Sequence, residues 1–131
     1  MQKQTIKIEE GMNKYYVSFE VARLLREKGY NDLNECYYNR HGVMCARHEG
    51  KILKEGECMA PRLDEAFRWL REERYIHITI EVHASGYYAV LWKTNGTFIK
   101  TLAGEGLNDG GVWNTCEEAM QAGILETLKL I

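Results

Sequence analysis

The clearest pattern in the sequence is a strict alternation of apolar and polar residues between Ile76 and His83. Four apolar side chains are predicted to point to one side of a strand: Ile76, Ile78, Ile80 and Val82. Four polar side chains point to the other side: His77, Thr79, Glu81 and His83. A strand with one apolar face is typical of an antiparallel sheet that packs on one side, so we expect the four apolar residues to be covered.

Two further strands are predicted after it, at residues 87–93 and 98–102. The Asn95-Gly96 pair between them favours a tight hairpin turn, because both residues tolerate a positive φ. The strand at 87–93 is apolar on both sides, so we expect its second face to be partly covered as well. Residues 103–114 contain four glycines and predict a flexible loop after the third strand.

Two amphipathic helices flank these strands. One is predicted at about 62–74, where apolar residues follow an i, i+3, i+4, i+7 stripe: Leu63, Ala66, Phe67 and Leu70. The other is predicted at about 116–131, and Thr115 with Glu118 forms a capping box at its start. We expect both helices to lie on the apolar face of the sheet, with Gly123 allowing a close approach.

The first sixty residues predict a helix and a hairpin. Ser18 is a good N-cap for a helix at about 19–28, which Gly29 ends. Two β-prone segments at 35–39 and 43–47 read as a hairpin, Thr5–Ile8 as an edge strand, and 48–60 as a loop. The predicted fold is therefore α+β in a single domain of residues 1–131. In this domain residues 1–60 pack on a 61–131 α-β-β-β-α core, whose antiparallel sheet has three or more strands.

Net charge and the distribution of apolar residues exclude several classes of function. The formal net charge is -2, so there is no electrostatic basis for non-specific nucleic-acid binding. No segment approaches the roughly 20 apolar residues of a membrane-spanning helix, and the N-terminus lacks the features of a secretory signal. We therefore expect a cytoplasmic protein that binds neither nucleic acid nor membrane. Its four cysteines are expected to be reduced thiols.

The chain resembles a family of small uncharacterised proteins from phage-like regions and mobile elements of anaerobic gut bacteria. The likeness covers most of the chain and is carried by four segments: Ser18 to Lys28, Trp69-Leu70-Arg71-Glu72, Ile76-His77-Ile78, and Glu117-Glu118-Ala119 with Gly123 and Leu128-Lys129-Leu130-Ile131. This resemblance implies an origin in a mobile element and no particular activity.

A second resemblance, to HicB-type antitoxins, concerns the architecture. It is carried by three short segments: Ile78-Thr79-Ile80-Glu81, Gly86-Tyr87-Tyr88-Ala89-Val90 and Thr115-Cys116-Glu117-Glu118-Ala119. It implies a double-stranded-RNA-binding-like fold and a small toxin as partner. The chain departs from the family in its glycine loop, and no C-terminal DNA-binding domain is expected. Glu117 and Glu118 would repel phosphates at the start of the last helix, so no double-stranded-RNA binding is expected.

Candidate reactive residues were weighed against structural roles. A zinc site is one interpretation of five residues: Cys36, His41, Cys45, His48 and Cys58. Their irregular spacing, without a Cys-x2-Cys knuckle, favours buried thiols and surface histidines, so no metal or cofactor is predicted. His77 and His83 are expected to be solvated rather than catalytic. Cys116 starts a helix, but the neighbouring glutamates oppose activation of its thiol.

The tyrosine doublets are the most suggestive feature that remains, because amphipathic rings are enriched at protein interfaces. The predicted interaction surface contains seven residues: Tyr37, Tyr38, His77, His83, Tyr87, Tyr88 and Trp113. We therefore predict a non-enzymatic protein-interaction module, with a protein partner or with self-association through an edge strand. The alternatives are a HicB-like antitoxin that binds a small toxin and a zinc- or thiol-dependent enzyme.

Overall fold

The structure is a computed structural model that describes residues 6–7 and 10–131. The chain divides into two compact units, Met1–Arg62 and Leu63–Ile131. This division falls close to residue 61, where the α-β-β-β-α core was predicted to begin. The packing of residues 1–60 on that core stays a prediction. Among the described residues, no helix has the length and apolar character needed to cross a lipid bilayer.

The N-terminal unit contains one α-helix and a four-stranded antiparallel sheet of order β1-β3-β2-β4. A short 3-10 helix, Glu10–Tyr15, precedes the α-helix. The elements are β1 (Ile6–Lys7), α1 (Phe19–Glu27), β2 (Cys36–Tyr38), β3 (Met44–Ala46) and β4 (Cys58–Met59). Helix α1 begins as predicted, since the Ser18 hydroxyl accepts a hydrogen bond from the Val21 amide. Gly29 follows its end with a φ of 101°.

The hairpin predicted in this unit is confirmed as β2–β3, and the loop predicted at 48–60 is wrong at its end. Cys58 and Met59 pair with β2 as a fourth strand. Two residues are too few to show an alternating pattern, which is why the sequence did not reveal this strand. The predicted edge strand is confirmed at Ile6–Lys7, and its flanking residues lie outside those that the structure describes.

The C-terminal unit has the predicted α-β-β-β-α order, with a three-stranded antiparallel sheet of order β5-β6-β7. Its elements are α2 (Leu63–Glu73), β5 (Ile76–His83), β6 (Gly86–Lys93), β7 (Phe98–Thr101) and α3 (Cys116–Leu130). Helix α2 contacts β5, and α3 contacts β5, β6 and α2, so the two helices share one face of the sheet. The predicted α+β class is thereby confirmed.

Close packing of α3 depends on Gly123, as expected. A Cβ atom at this position would lie 2.9 Å from Ile78 Cγ2 and 3.1 Å from Ala89 Cβ. The helix starts at the predicted cap: the Thr115 hydroxyl accepts from the Glu118 amide at 3.1 Å and donates to the Glu118 carboxylate. On α2, Leu63, Ala66 and Leu70 are buried as predicted, but Trp69 replaces Phe67 as the fourth buried residue.

The predicted cover of β5 fails towards its C-terminal end. Ile76 and Ile78 are buried and Ile80 is half-buried, but Val82 is 80% exposed. The alternation assigns these side chains to one face correctly. It does not report how far the helices extend over that face, and the β5–β6 hairpin continues past the part that they cover.

Candidate interaction surface

The β5–β6 hairpin ends in a row of apolar side chains that crosses three segments of the chain. Val82 lies opposite Tyr87, and Tyr87 lies opposite Trp113 in an isolated antiparallel bridge. Two backbone hydrogen bonds close this bridge, from Tyr87 N to Trp113 O at 2.8 Å and from Trp113 N to Tyr87 O at 2.9 Å. Directly opposed residues of an antiparallel pair project to the same face, so the three side chains form one row.

Residues 103–114, predicted to be a flexible loop, form hydrogen bonds within the loop and to the β5–β6 turn. Asn108 is the centre of this network: its Oδ1 accepts from the backbone N–H groups of Gly110 and Val112, each at 3.0 Å. Its Nδ2 donates to the Ser85 carbonyl at 3.0 Å, which fastens the loop to the β5–β6 turn. The asparagine side chain therefore supplies the partners that a glycine-rich backbone needs in order to hold one conformation.

Glycine is required where the loop meets the hairpin. A Cβ atom at Gly86, where φ is 151°, would lie 2.1 Å from the Trp113 carbonyl oxygen. A Cβ atom at Gly110 would lie 2.5 Å from Ser85 Cβ. Real Cβ atoms do not approach other atoms so closely. These two glycines therefore allow the backbone contact that holds Trp113 beside Tyr87.

We define the hairpin-end patch as the row of Val82, Tyr87 and Trp113 together with exposed Leu107, which belongs to the loop that is bonded to the β5–β6 turn. Val82 is 80% exposed and Leu107, which precedes Asn108 in the loop, is 88% exposed. The two aromatic residues are half-buried. Residues 103–118 carry acidic side chains and no lysine or arginine; the acidic residues are Glu105, Asp109, Glu117 and Glu118. Glu105 forms an ion pair with Lys100 at 3.4 Å, so the net negative charge of this segment comes from Asp109, Glu117 and Glu118.

Three other residues of the predicted surface lie on the opposite face of the sheet. In the pairing of β5 with β6, His77 lies opposite Trp92, Tyr88 lies opposite Glu81, and His83 lies opposite Gly86. The three side chains project to the face away from the helices. The rings of His83 and Tyr88 meet edge to face at 6.4 Å, and His83 Nδ1 accepts from the Ser85 amide at 3.0 Å. His83 therefore has a structural contact at the hairpin turn.

That opposite face is partly apolar, as the pattern of β6 predicted. Val90 is buried on it, beside Thr79 on β5. Trp92 donates its indole N–H to the Thr79 hydroxyl at 3.0 Å and packs against Phe98 with a ring separation of 5.7 Å. These contacts satisfy the polar atom of the indole within the sheet. Phe98 remains 53% exposed beside this indole, so the face keeps an apolar edge.

Tyr37 and Tyr38 are buried in the N-terminal unit, so their assignment to an exposed surface is wrong. They occupy β2, which lies inside the sheet between β3 and β4, and all three residues of that strand are buried. The Tyr38 hydroxyl donates to the Val17 carbonyl at 2.6 Å. Burial raises the pKa of Tyr38 to about 12. Both rings are therefore part of the core of this unit.

The residues of the zinc hypothesis are divided by the sheet. Cys58 is registered with Tyr38, whereas Cys45 is registered with Tyr37, so these two thiols project to opposite faces. His41 and His48 engage nearby groups, namely Arg40 Nε and the Glu49 carbonyl. Within the described part of the chain, no group of three histidine, cysteine, aspartate or glutamate side chains is placed to hold a metal ion.

The thiols also lack the electrostatic setting of a nucleophile. Burial raises the pKa of Cys45 and raises the pKa of Cys58 to about 11. Cys116 lies at the start of α3, where burial and then the charge of Glu117 raise its pKa. Each shift favours the protonated thiol, which is a poor nucleophile. These directions agree with the prediction that the glutamates oppose activation of Cys116.

Comparison with known protein families, with curated proteins and with solved structures finds no match to this chain. Functional reasoning therefore depends on the geometry of the molecule. Sequence reasoning found Tyr87 and Trp113, but it missed Leu107 and placed Val82 in the core. The Asn-Asp-Gly-Gly segment at 108–111 was the available signal for an ordered turn.

Proposed function

We propose that the chain is a non-enzymatic protein-interaction module that docks a partner on the hairpin-end patch. The observation that carries the proposal is the exposure of Val82 in the row that it forms with Tyr87 and Trp113, next to a loop in which Leu107 is also exposed. Tyrosine and tryptophan dominate binding energies at protein interfaces because they bury large areas with few rotatable bonds. The resemblance to proteins of phage-like regions is the reason for proposing a mobile element as its source.

The bonds that fasten the loop to the hairpin support this role. Asn108 donates to the Ser85 carbonyl, and two backbone hydrogen bonds join Tyr87 to Trp113. A preorganised surface loses less conformational entropy on binding than a mobile loop of the same composition. The acidic side chains of 103–118 favour a partner that surrounds an apolar contact with lysine or arginine, since complementary charge speeds and orients association.

The test is a cross-linking comparison between matched variants. A photoreactive phenylalanine analogue at Leu107 is expected to cross-link a discrete partner in extracts of the source organism. The Val82→Ser substitution should lower that yield strongly, because it removes an apolar contact from the proposed interface. The fold should stay intact, since this side chain is 80% exposed. Leu130→Ser, an exposed apolar position on α3, is the control and should leave the yield unchanged.

Equal cross-linking yields in the Val82→Ser and Leu130→Ser variants would show that the patch does not bind the partner. Two further readouts complete the test. Added salt should weaken the complex if charge complementarity orients the partner. The same photoreactive residue placed at Leu130 should not cross-link the partner, and an equal yield from that position would show that capture is non-specific.

A HicB-like antitoxin is the second candidate, and the α-β-β-β-α order of the C-terminal unit favours it. In that case the partner is a small basic toxin encoded beside this gene. Co-expression should then abolish toxicity, and Val82→Ser should restore it. A source gene without a small neighbouring gene would remove this candidate and leave the broader proposal standing.

A further inference from the structure

The N-terminal unit contains a half-open cavity that the proposed function does not use. It has a volume of about 560 Å³ and lies between α1, the residues that follow α1, and β4. Ala22, Tyr30 and Met59 form apolar parts of its wall. Pockets for small organic molecules commonly occupy roughly 300–1,000 Å³ and are mostly apolar, with a few placed polar groups. This cavity fits that description.

The charged groups in the wall are all cationic. Arg26 and Lys51 line the cavity, and no aspartate or glutamate does. The Lys51 and Glu57 side chains form an ion pair at 2.8 Å, and each is only 10% exposed. Arg26 donates from its guanidinium to the Glu57 carbonyl oxygen. Glu57, which does not line this cavity, therefore holds both side chains, and its carboxylate compensates the charge of Lys51.

The position of Lys51 is fixed by its surroundings. Its ammonium lies 4.7 Å from the centre of the Tyr37 ring, and Glu57 also accepts from the Lys54 amide at 2.8 Å. An ammonium group has three donors, and the bond to Glu57 uses one. Glu57 compensates the charge of Lys51, so the ammonium offers an anion its two other donors, and exposed Arg26 supplies the uncompensated positive charge.

The mouth of the cavity is apolar. Leu33 and Ile52 line it and are 70% and 82% exposed, respectively. Large exposed aliphatic side chains beside a pocket offer further contact area to an apolar ligand. An occupant would therefore meet cations inside the wall and aliphatic groups at the rim.

We propose that this cavity binds a small amphipathic anion, an apolar organic molecule that carries one carboxylate or comparable anionic group. The anionic group contacts Arg26 and Lys51, and the apolar body lies against Tyr30, Met59 and the rim. This site is in the N-terminal unit and is independent of the hairpin-end patch.

The first experiment compares two fluorescent probes that differ in one charged group. 1-Anilinonaphthalene-8-sulfonate and uncharged N-phenyl-1-naphthylamine share their ring systems. Titration of the full chain should give one saturable site for the sulfonate, with an affinity roughly tenfold above that for the neutral probe. Decanoate should displace the sulfonate, and decanol should displace it less well. Equal affinity for the charged and neutral probes would overturn the proposal.

The second experiment changes the charge at the mouth without disturbing the core. Ile52→Glu should weaken sulfonate binding by roughly three- to tenfold, and Ile52→Lys should preserve or strengthen it, because each adds one unit charge near the anion. Neither should change the affinity for the neutral probe by a comparable factor. Leu107→Glu and Leu130→Glu carry the same charge to exposed positions of the C-terminal unit and serve as controls.

The third experiment removes the buried charge as a neutral pair. The double variant Lys51→Met with Glu57→Gln leaves no unpaired ion and should lower sulfonate affinity while the neutral probe binds as before. Thermal unfolding establishes that each variant is folded.

The charge variants at the surface can overturn the assignment. Weaker sulfonate binding by Leu107→Glu but not by Ile52→Glu would place the probe on the other unit. Identical sulfonate affinities for Ile52→Glu and Ile52→Lys would also overturn the assignment of the probe to this cavity.

Discussion

Replacing Gly86 by alanine tests the contact that holds the glycine loop on the sheet. Gly86 has a φ of 151°, and an added Cβ would lie 2.1 Å from the Trp113 carbonyl oxygen. Gly96 is the matched control, because its φ is 92° and a Cβ there meets nothing within 4 Å. A non-glycine residue in such a conformation costs about 1–3 kcal/mol, and both variants incur this cost.

The crowded position has a further cost that the open one lacks. To accommodate the methyl group, the chain must separate Tyr87 from Trp113, and it then loses the two hydrogen bonds between them. At about 1 kcal/mol each, these bonds make Gly86→Ala roughly 2 kcal/mol more destabilising than Gly96→Ala. Release of the loop should also expose the amides of Tyr87 and Trp113 to solvent.

Urea unfolding followed by tryptophan fluorescence measures the difference in free energy of unfolding between the two variants, and it does so in the C-terminal unit that contains both glycines. All three tryptophans, Trp69, Trp92 and Trp113, belong to Leu63–Ile131. Hydrogen exchange should show faster exchange at the Tyr87 and Trp113 amides in Gly86→Ala and unchanged exchange in Gly96→Ala. Equal destabilisation by both variants, with both amides still protected, would refute the assignment of the loop contact.

Three other predictions follow from single residues. Tyr75 has a φ of 61° and is largely exposed, so Tyr75→Gly should stabilise the C-terminal unit by about 0.5–1 kcal/mol in urea unfolding, whereas Tyr75→Ala should not. Burial raises the pKa of Glu57, but bonds from Lys51 and Lys54 outweigh it and hold that pKa below 4.5. The resulting stability is present above pH 4.5 and is lost as the pH falls through the lower folded value, so Glu57→Gln should flatten this acid dependence. Alkylation of the folded protein at mildly alkaline pH should modify Cys116 before buried Cys58, whose pKa is about 11. Mass spectrometry of the digest measures the order, and modification of Cys58 first would contradict the prediction.

The fold was predictable where its causes are local. Thr115 and Glu118 are one helical turn apart, and the alternation at Ile76–Ile80 assigns each side chain to a face. These patterns were sufficient for the helices, the three strands and their antiparallel order. The two-residue strand at Cys58–Met59 has no such pattern, and only its partner in β2 makes it a strand.

The tyrosine doublets show a second limit. Tyr37-Tyr38 was read as one ring on each face, which is correct, and as a surface, which is wrong. The strand Cys36–Tyr38 is buried throughout, and it has a neighbouring strand at each of its edges. A short apolar run without polar alternation is typical of such a strand, and the absence of a polar residue in Cys-Tyr-Tyr was the available signal.

The contacts of the glycine loop were not predicted, for a different reason. The Asn-Asp-Gly-Gly segment signals its local turn, but the bonds to Ser85 and Tyr87 reach residues more than twenty positions away in sequence. No local pattern contains these long-range bonds. Loop residues held by long-range bonds to a rigid hairpin are also well placed to bind a partner, since the scaffold fixes their geometry.

Val82 has one property that the sequence predicts and one that it does not. It continues the apolar alternation of β5 beyond the helices, so its place in the row is explained by strand periodicity and its exposure by the length of the hairpin. If it were only an extension of the strand, Val82→Thr would leave both stability and binding unchanged, because threonine has the same branched shape and β-propensity. The proposed interaction requires a different result: unchanged unfolding with weaker partner binding. That combination separates a docking residue from a structural one at this position.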